Sequence, residues 1–357
     1  MVKALYVFLV SLQLISYSWA RCDLDFVPFK ILDGKQEIRE LRDLKVGSYN
    51  VLNLEYSPGK YLDNPKTGVR EFVPQHITKD QEATKKIAEI IKEEGLDIVI
   101  VQEVEGKKAI ELFNKKYLNS EYEPFLIKGN DSRGIEIAFL VKKTMPFKVK
   151  FTSSREVKWV NPNTSKEELL LSRDLPALHI WGKSKSAADA PDLVIIGNHL
   201  KSQRDRTGDK GSVIMRTQQA EEIAKTIKLY DETYPGTPVF VGGDFNANIH
   251  EGLEFKPLFQ DDLLKDSFDF SPTPLSEKDR ITHTFHPRGG ETKYSQLDAL
   301  LVNKHGQDLI TNAKVYRYKN EQGVEIKIPE TYPERELNPS DHFPIIIDLD
   351  LSRMPIQ

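Results

Sequence analysis

Six short polar clusters, each abutting an apolar run, hold acids, amides and histidines, the residue types that bind divalent metals and move protons. They are Ser48-Tyr49-Asn50-Val51-Leu52-Asn53, Gln102-Glu103, Asn198-His199-Leu200-Lys201-Ser202, Gly242-Gly243-Asp244-Phe245-Asn246, Gln296-Leu297-Asp298 and Ser340-Asp341-His342-Phe343-Pro344. A bound divalent cation supplies positive charge to a reacting group and lowers the pKa of a bound water. Mg²⁺ takes oxygen ligands and keeps several waters, so one or two carboxylates suffice to hold it. Burying this many carboxylates together without a cation would be costly. Taken singly, each cluster also reads as turn or cap chemistry. Six of them in this order, each at a strand edge, point to one shared site.

The intervening sequence supplies the elements that would carry these clusters. Val46–Val51, Asp97–Val101, Ile135–Val141, Leu193–Gly197, Pro238–Val241, Leu297–Val302 and Ile345–Leu351 read as strands. Thr78-Lys79-Asp80-Gln81 reads as a capping box opening a helix with Ala83, Ile87, Ala88 and Ile91 on one face, stopped at Gly95. Further helices are expected over Gly106–Leu118 and Ile214–Tyr230. Residues 251–280 and 313–339 are polar, Pro-bearing and weakly patterned, and are expected to be long surface loops. The alternation defines an α/β protein without deciding between parallel and antiparallel strands.

The ordered motifs SYNVLN, VQEVEG, GNHLKS, GGDFNAN, QLDALL and PSDHFP resemble the endonuclease/exonuclease/phosphatase (DNase I-like) superfamily over residues 45–350. The resemblance implies a four-layer α/β/β/α sandwich with two packed mixed β-sheets. It implies Glu103 as the first metal ligand with Asn50 beside it and Asp341 on the opposite wall. The ion implied is Mg²⁺, with Mn²⁺ or Ca²⁺ as alternatives. Asp244 would orient or deprotonate the attacking water, and Asn246 would donate its amide to a phosphoryl oxygen. His342 would act on the phosphate or as acid/base partner, its tautomer fixed by Asp298. His199 would protonate the leaving oxygen, oriented by Glu136, the lone acid in the apolar run Ile135–Phe139. Arg173 and Lys201 are candidate phosphate contacts.

Composition narrows the classes. The 357 residues are 39% hydrophobic and 29% charged, enough to build a core. The net charge of −4 gives no global positive field, so a mainly electrostatic DNA coat is excluded and any phosphate contact must be local. The single Cys, Cys22, excludes an internal disulfide and a Cys-rich zinc module. No GxSxG, GxxxxGK[ST] or HExxH motif is present. Residues 1–20, with Lys3, a short apolar run and Ser18-Trp19-Ala20, read as a cleaved signal peptide. Residues 21–44 then form an N-terminal segment and 45–352 the catalytic domain. A secreted or periplasmic monomer without a stable membrane anchor is expected. Lys201, Arg204, Arg206 and Lys210 after His199 favour a nuclease, and NHLKS is similar to the corresponding segment of extracellular bacterial nucleases. A sphingomyelinase-like phospholipid diesterase or a phosphomonoesterase is the alternative. The aromatic residues weighed for lipid contact are Tyr316, Tyr318 and Tyr332. A catalytically inactive binding module on the same fold is the third reading.

Overall fold

The computed structural model describes residues 26–32, 42–63, 66–287 and 290–354. The expected signal peptide over 1–20 and Cys22 lie outside them. Two mixed sheets form the centre. One has seven strands in the order Phe26–Ile31, Phe147–Thr152, Ala177–Gly182, Leu193–His199, Val239–Asp244, Asp298–Val302 and Lys265–Asp266. The other has six, in the order Ile310–Val315, Ile345–Asp350, Asp43–Leu54, Ile98–Glu105, Ile135–Lys142 and Tyr122–Phe125. The sheets pack so closely that a Cβ at Gly197 would meet Phe139, Ile137 and Ile100 within 3.1 Å. Ile87, Ala88, Ile91, Ile110 and Phe113 of helices Gln81–Glu93 and Gly106–Tyr117 join the core of the six-stranded sheet. Ala220, Ile223, Ala224 and Ile227 of helix Val213–Thr233 join a separate core on the seven-stranded sheet. The layers are therefore helix, sheet, sheet, helix.

Each sheet contains one parallel pair: Asp43–Leu54 with Ile98–Glu105, and Leu193–His199 with Val239–Asp244. Parallel strands end at the same edge, so Asn50 lies opposite Gln102, and His199 opposite Asp244. Antiparallel neighbours begin where these strands end. Asp298, the first residue of its strand, therefore pairs with Asp244. Ser340–His342 precede Ile345, which pairs with Ser48. This strand polarity brings five of the six clusters to strand ends at a common edge, with Glu103 beside them.

Four expectations change. The helix at Gln81 is capped by Asp80, whose Oδ1 accepts from the Ala83 N–H at 2.8 Å; Thr78 instead donates its hydroxyl to Glu55. Residues 251–280 are not a surface loop but short helical turns and a strand, burying Phe255, Leu258, Leu264 and Phe268. In 313–339, Tyr316 and Tyr318 are buried and only Tyr332 is exposed. These side chains are spaced irregularly, so no single period betrays the face they bury. The fourth change concerns Phe26–Ile31, which joins the seven-stranded sheet as its edge strand, so part of the segment expected outside the catalytic domain belongs to it. Among the described residues no helix is long and apolar enough to cross a membrane.

Candidate active site

Glu103 protrudes from its strand because of a β-bulge. On the neighbouring strand Gln102 pairs with Ile137 and Val104 with Glu136, which leaves Glu103 as the extra residue. Its φ is +64°, and Leu52, Asn53 and Asn246 also lie in the left-handed region. Such conformations are uncommon away from glycine and cluster at functional sites. Here they turn side chains out of the strands and into the cleft. Gly243 is needed for a different reason: a Cβ there would lie 1.9 Å from the Asn198 carbonyl oxygen.

Asp244 is the hub. Its Oδ1 accepts from the Asn246 N–H at 2.7 Å. Its Oδ2 accepts from Asn50 and Asn246 amides, each at 3.1 Å, and lies 3.5 Å from His199 Nε2 and 3.9 Å from His342 Nε2. Burial pushes the Asp244 carboxyl up to about 7, with His342 opposing and Asp298 adding to the rise. Asn50 also reaches Glu103 Oε1 at 3.5 Å, so one amide links both carboxylates. Glu103 Oε2 accepts from the Asn53 N–H at 3.1 Å.

His342 donates from Nδ1 to Asp298 Oδ2 at 2.8 Å. Burial alone would lower its pKa, but the charges of Asp298 and Asp244 outweigh that and raise it well above the ordinary value. The two acids on either side of His342 favour its protonated form. Asp244, Asp298 and His342 lie close enough together to suggest a metal group. The Asp298–His342 hydrogen bond suits a ring that carries a proton. His199 is the opposite case. Burial, then Arg173, His342 and Arg133, push its pKa well down, so its ring is neutral.

The site brings together Asn50, Glu103, His199, Asp244, Asn246, Asp298 and His342, and it alters three expected roles. Glu136 does not bond His199: its Oε2 accepts from the Gly129 N–H at 2.8 Å, while its Oε1 and His199 Nδ1 are each buried without a partner. The two residues stand on strands of different sheets, so the sequence could not show their separation. Asn246 spends both amide hydrogens on Leu200 O and Asp244, so it positions Asp244 rather than facing a phosphoryl oxygen. Arg173 is buried, with Nη2 donating to Leu200 O at 2.9 Å and Nη1 3.6 Å from Asp131. Lys201 is partly exposed, its Nζ 3.4 Å from Ser202 Oγ.

Asp341 lies 3.3 Å from Arg335 Nη2 and 3.9 Å from His283 Nε2. Burial would raise its pKa, but His342, His283 and Arg335 together hold it below the carboxylate range. Sequence reasoning missed His283, whose ring lies tilted by 50° with its centroid 4.6 Å from that of His342, and Lys79, which donates to Leu52 O at 2.9 Å. It also missed the supports: Ser340 donating to Asn50 O, Tyr318 donating to His342 O, and Thr282 accepting from the Asp298 N–H. Only Ser340 lies in one of the strand-end clusters, and nothing local to it shows which backbone group it holds, so tertiary placement alone marks these roles.

These donors fit a hard divalent cation. Glu103 and Asp341 are carboxylates, Asn50 offers an amide oxygen, and Asp341 Oδ1 is buried without a hydrogen-bond partner. Carboxylates, a buried histidine bonded to an aspartate and nearby guanidinium groups are groups that phosphoester hydrolysis can use. The chain belongs to the Endonuclease/Exonuclease/phosphatase family, whose match spans residues 45–350, and it is a metal-dependent phosphoesterase. The fold is shared with truncated TDP2 from Caenorhabditis elegans (19% identity, TM-score 0.53, 86% of this chain and 98% of that one). It is shared too with a mannosyl-6-phosphatase from Bacteroides thetaiotaomicron (16% identity, TM-score 0.51, 86% and 99%). A family protein of the same organism is similar at 15% identity and a TM-score of 0.52, over 88% and 98%. No curated protein matches the chain.

Proposed function

We propose that the chain is an exported nuclease that hydrolyses phosphodiester bonds of DNA or RNA. The observation that carries this reading is a local cationic field in a chain of net charge −4. Lys201, Arg204, Arg206 and Lys210 follow His199 within eleven residues, and although Arg206 pairs with Glu168 at 2.9 Å and Arg133 with Asp131 at 3.0 Å, burial and then the charges of Arg173, Arg206, Arg204 and Arg133 lower the Lys201 pKa. A polyanion can be gripped there without a basic protein overall.

A divalent cation held by Glu103, with Asn50 and Asp341, would supply positive charge to the phosphoryl oxygens. The protein's own groups manage the protons. Asp244, held by Asn50 and Asn246, accepts a proton from the water whose oxygen attacks phosphorus. The ester P–O bond breaks, and the leaving oxygen takes a proton from His342, the group in the site that carries a transferable one. Asp298 keeps the resulting imidazole oriented. His199, being neutral, donates a hydrogen bond rather than a proton.

The test is a substrate panel on purified protein with Mg²⁺, Mn²⁺ or EDTA: plasmid DNA, RNA, phospholipid vesicles and sugar phosphates. Cleavage of nucleic acid, lost in EDTA, is expected. Sugar-phosphate hydrolysis without nucleic acid cleavage would favour the phosphomonoesterase reading, which the likeness to the mannosyl-6-phosphatase supports. N-terminal sequencing of the expressed protein would test export, with a mature start after Ala20 expected.

A further inference from the structure

Between the strands that carry Asn50 and Glu103 the chain makes an excursion that the proposed chemistry does not use. Lys60–Asp63 and Arg70–Val73 pair as an isolated antiparallel hairpin, with Tyr61 opposite Phe72. Its apolar side chains face solvent: Tyr61 is 61% exposed, Leu62 44%, Val69 57% and Phe72 56%. Single exposed apolar residues are ordinary, but four on one two-stranded ribbon are not. Such a ribbon is marginal alone, and exposing four apolar side chains gives it a reason to meet a partner.

Two features show what that partner is. The Tyr61 and Phe72 rings are 5.1 Å apart, and the Arg70 guanidinium lies 5.8 Å from the Tyr61 ring. Aromatic faces backed by a cation suit flat, unstacked bases, and Lys60, Lys66 and Arg70 outnumber Asp63 and Glu71. The ribbon is also rooted in the active site. Asn53 at its base donates to Glu103 at 3.1 Å, Tyr56 donates to Glu105 at 2.7 Å, and Lys79 beyond its second leg donates to Leu52 O at 2.9 Å. A lipid surface fits less well, because Lys60, Asp63, Arg70 and Glu71 interrupt the apolar side chains along the two strands.

We propose that the Tyr61–Phe72 hairpin is a stacking platform for single-stranded nucleic acid, feeding the strand toward Glu103. This rests on the nuclease reading and adds a preference for unpaired bases. Fluorescence anisotropy of a labelled single-stranded oligonucleotide, in EDTA to prevent cleavage, tests it. Tyr61→Ala with Phe72→Ala is expected to weaken binding about tenfold or more. A duplex of equal length, whose base faces are covered, is expected to lose much less. The ring-conserving pair Tyr61→Phe and Phe72→Tyr is expected to keep wild-type affinity, which guards against a folding artefact. Unchanged single-strand affinity in the alanine pair overturns the platform, as does an equal loss on duplex. Binding of phosphatidylglycerol vesicles in place of the oligonucleotide would overturn it in favour of a membrane surface. If wild-type protein cleaves nucleic acid while the alanine pair binds normally, only this inference fails. If wild-type protein neither binds nor cleaves it, the nuclease reading fails as well.

Discussion

His342 Nδ1 and Asp298 Oδ2 lie 2.8 Å apart although 44 residues separate them, and both side chains are buried. The pair fixes which ring nitrogen faces Asp244 and keeps the imidazole charged. Asp298→Asn retains an acceptor but removes the charge. A fall in kcat of about 10²–10⁴-fold, with little change in KM, is expected. Steady-state kinetics on a phosphodiester, with a melting curve to check folding, would measure it. Turnover within tenfold of wild type would mean the pair is structural only.

The donor set around Glu103 makes metal dependence measurable apart from turnover. EDTA is expected to abolish activity, and added Mg²⁺ or Mn²⁺ to restore it. Glu103→Ala and Asp341→Ala should each weaken Mg²⁺ binding by about tenfold or more, read by calorimetry. Wild-type affinity in both variants would place the ion elsewhere.

Glu136 gives a stability test with a definite sign. Burial raises its carboxyl from 4.5 to about 7. A folded pKa above the unfolded one favours folding at low pH, and the contribution is lost as pH rises through 7. Glu136→Gln removes the ionising group. It is expected to stabilise the protein by about 1–2 kcal/mol at pH 8 relative to wild type, with no gain near pH 4.5. Activity should change little, because Glu136 contacts Gly129 and not His199. A hundredfold loss at unchanged melting temperature would restore it as the group that orients His199.

His179 should act in the opposite direction. It is buried far along the seven-stranded sheet, its Nε2 accepting from the Tyr230 hydroxyl at 2.7 Å, and burial lowers its pKa from 6.5 to about 4. The unfolded chain binds the proton first, so stability is full above pH 6.5 and falls as pH drops toward 4. The loss is expected to reach about 3 kcal/mol. Chemical denaturation across this window should show a shallower slope for His179→Gln than for wild type.

Much of this site was legible before any coordinates. A strand that ends at a metal- and phosphate-binding edge leaves a local mark, an apolar run meeting a carboxylate, amide or histidine. Asn50, Glu103, His199, Asp244, Asp298 and His342 all carry that mark, and all meet in one cleft. Arg173 was legible as a phosphate candidate but not as a buried one. The supporting roles of Ser340 and Thr282 were not legible, because a hydroxyl holding a backbone group looks like any other serine or threonine.

The sequence by itself determined the residue types at the strand ends, their order and hence the family, because these are local properties of short segments. The tertiary structure alone decided the partnerships. It gave Asp298 to His342, Glu136 to Gly129 and the Asn246 amide to Asp244 and Leu200. It also buried Phe255 and Tyr318 and left Tyr61 and Phe72 exposed. Partners across a cleft depend on how two sheets pack and in what register, and that packing joins residues as far apart in the chain as Asn50 and Ser340.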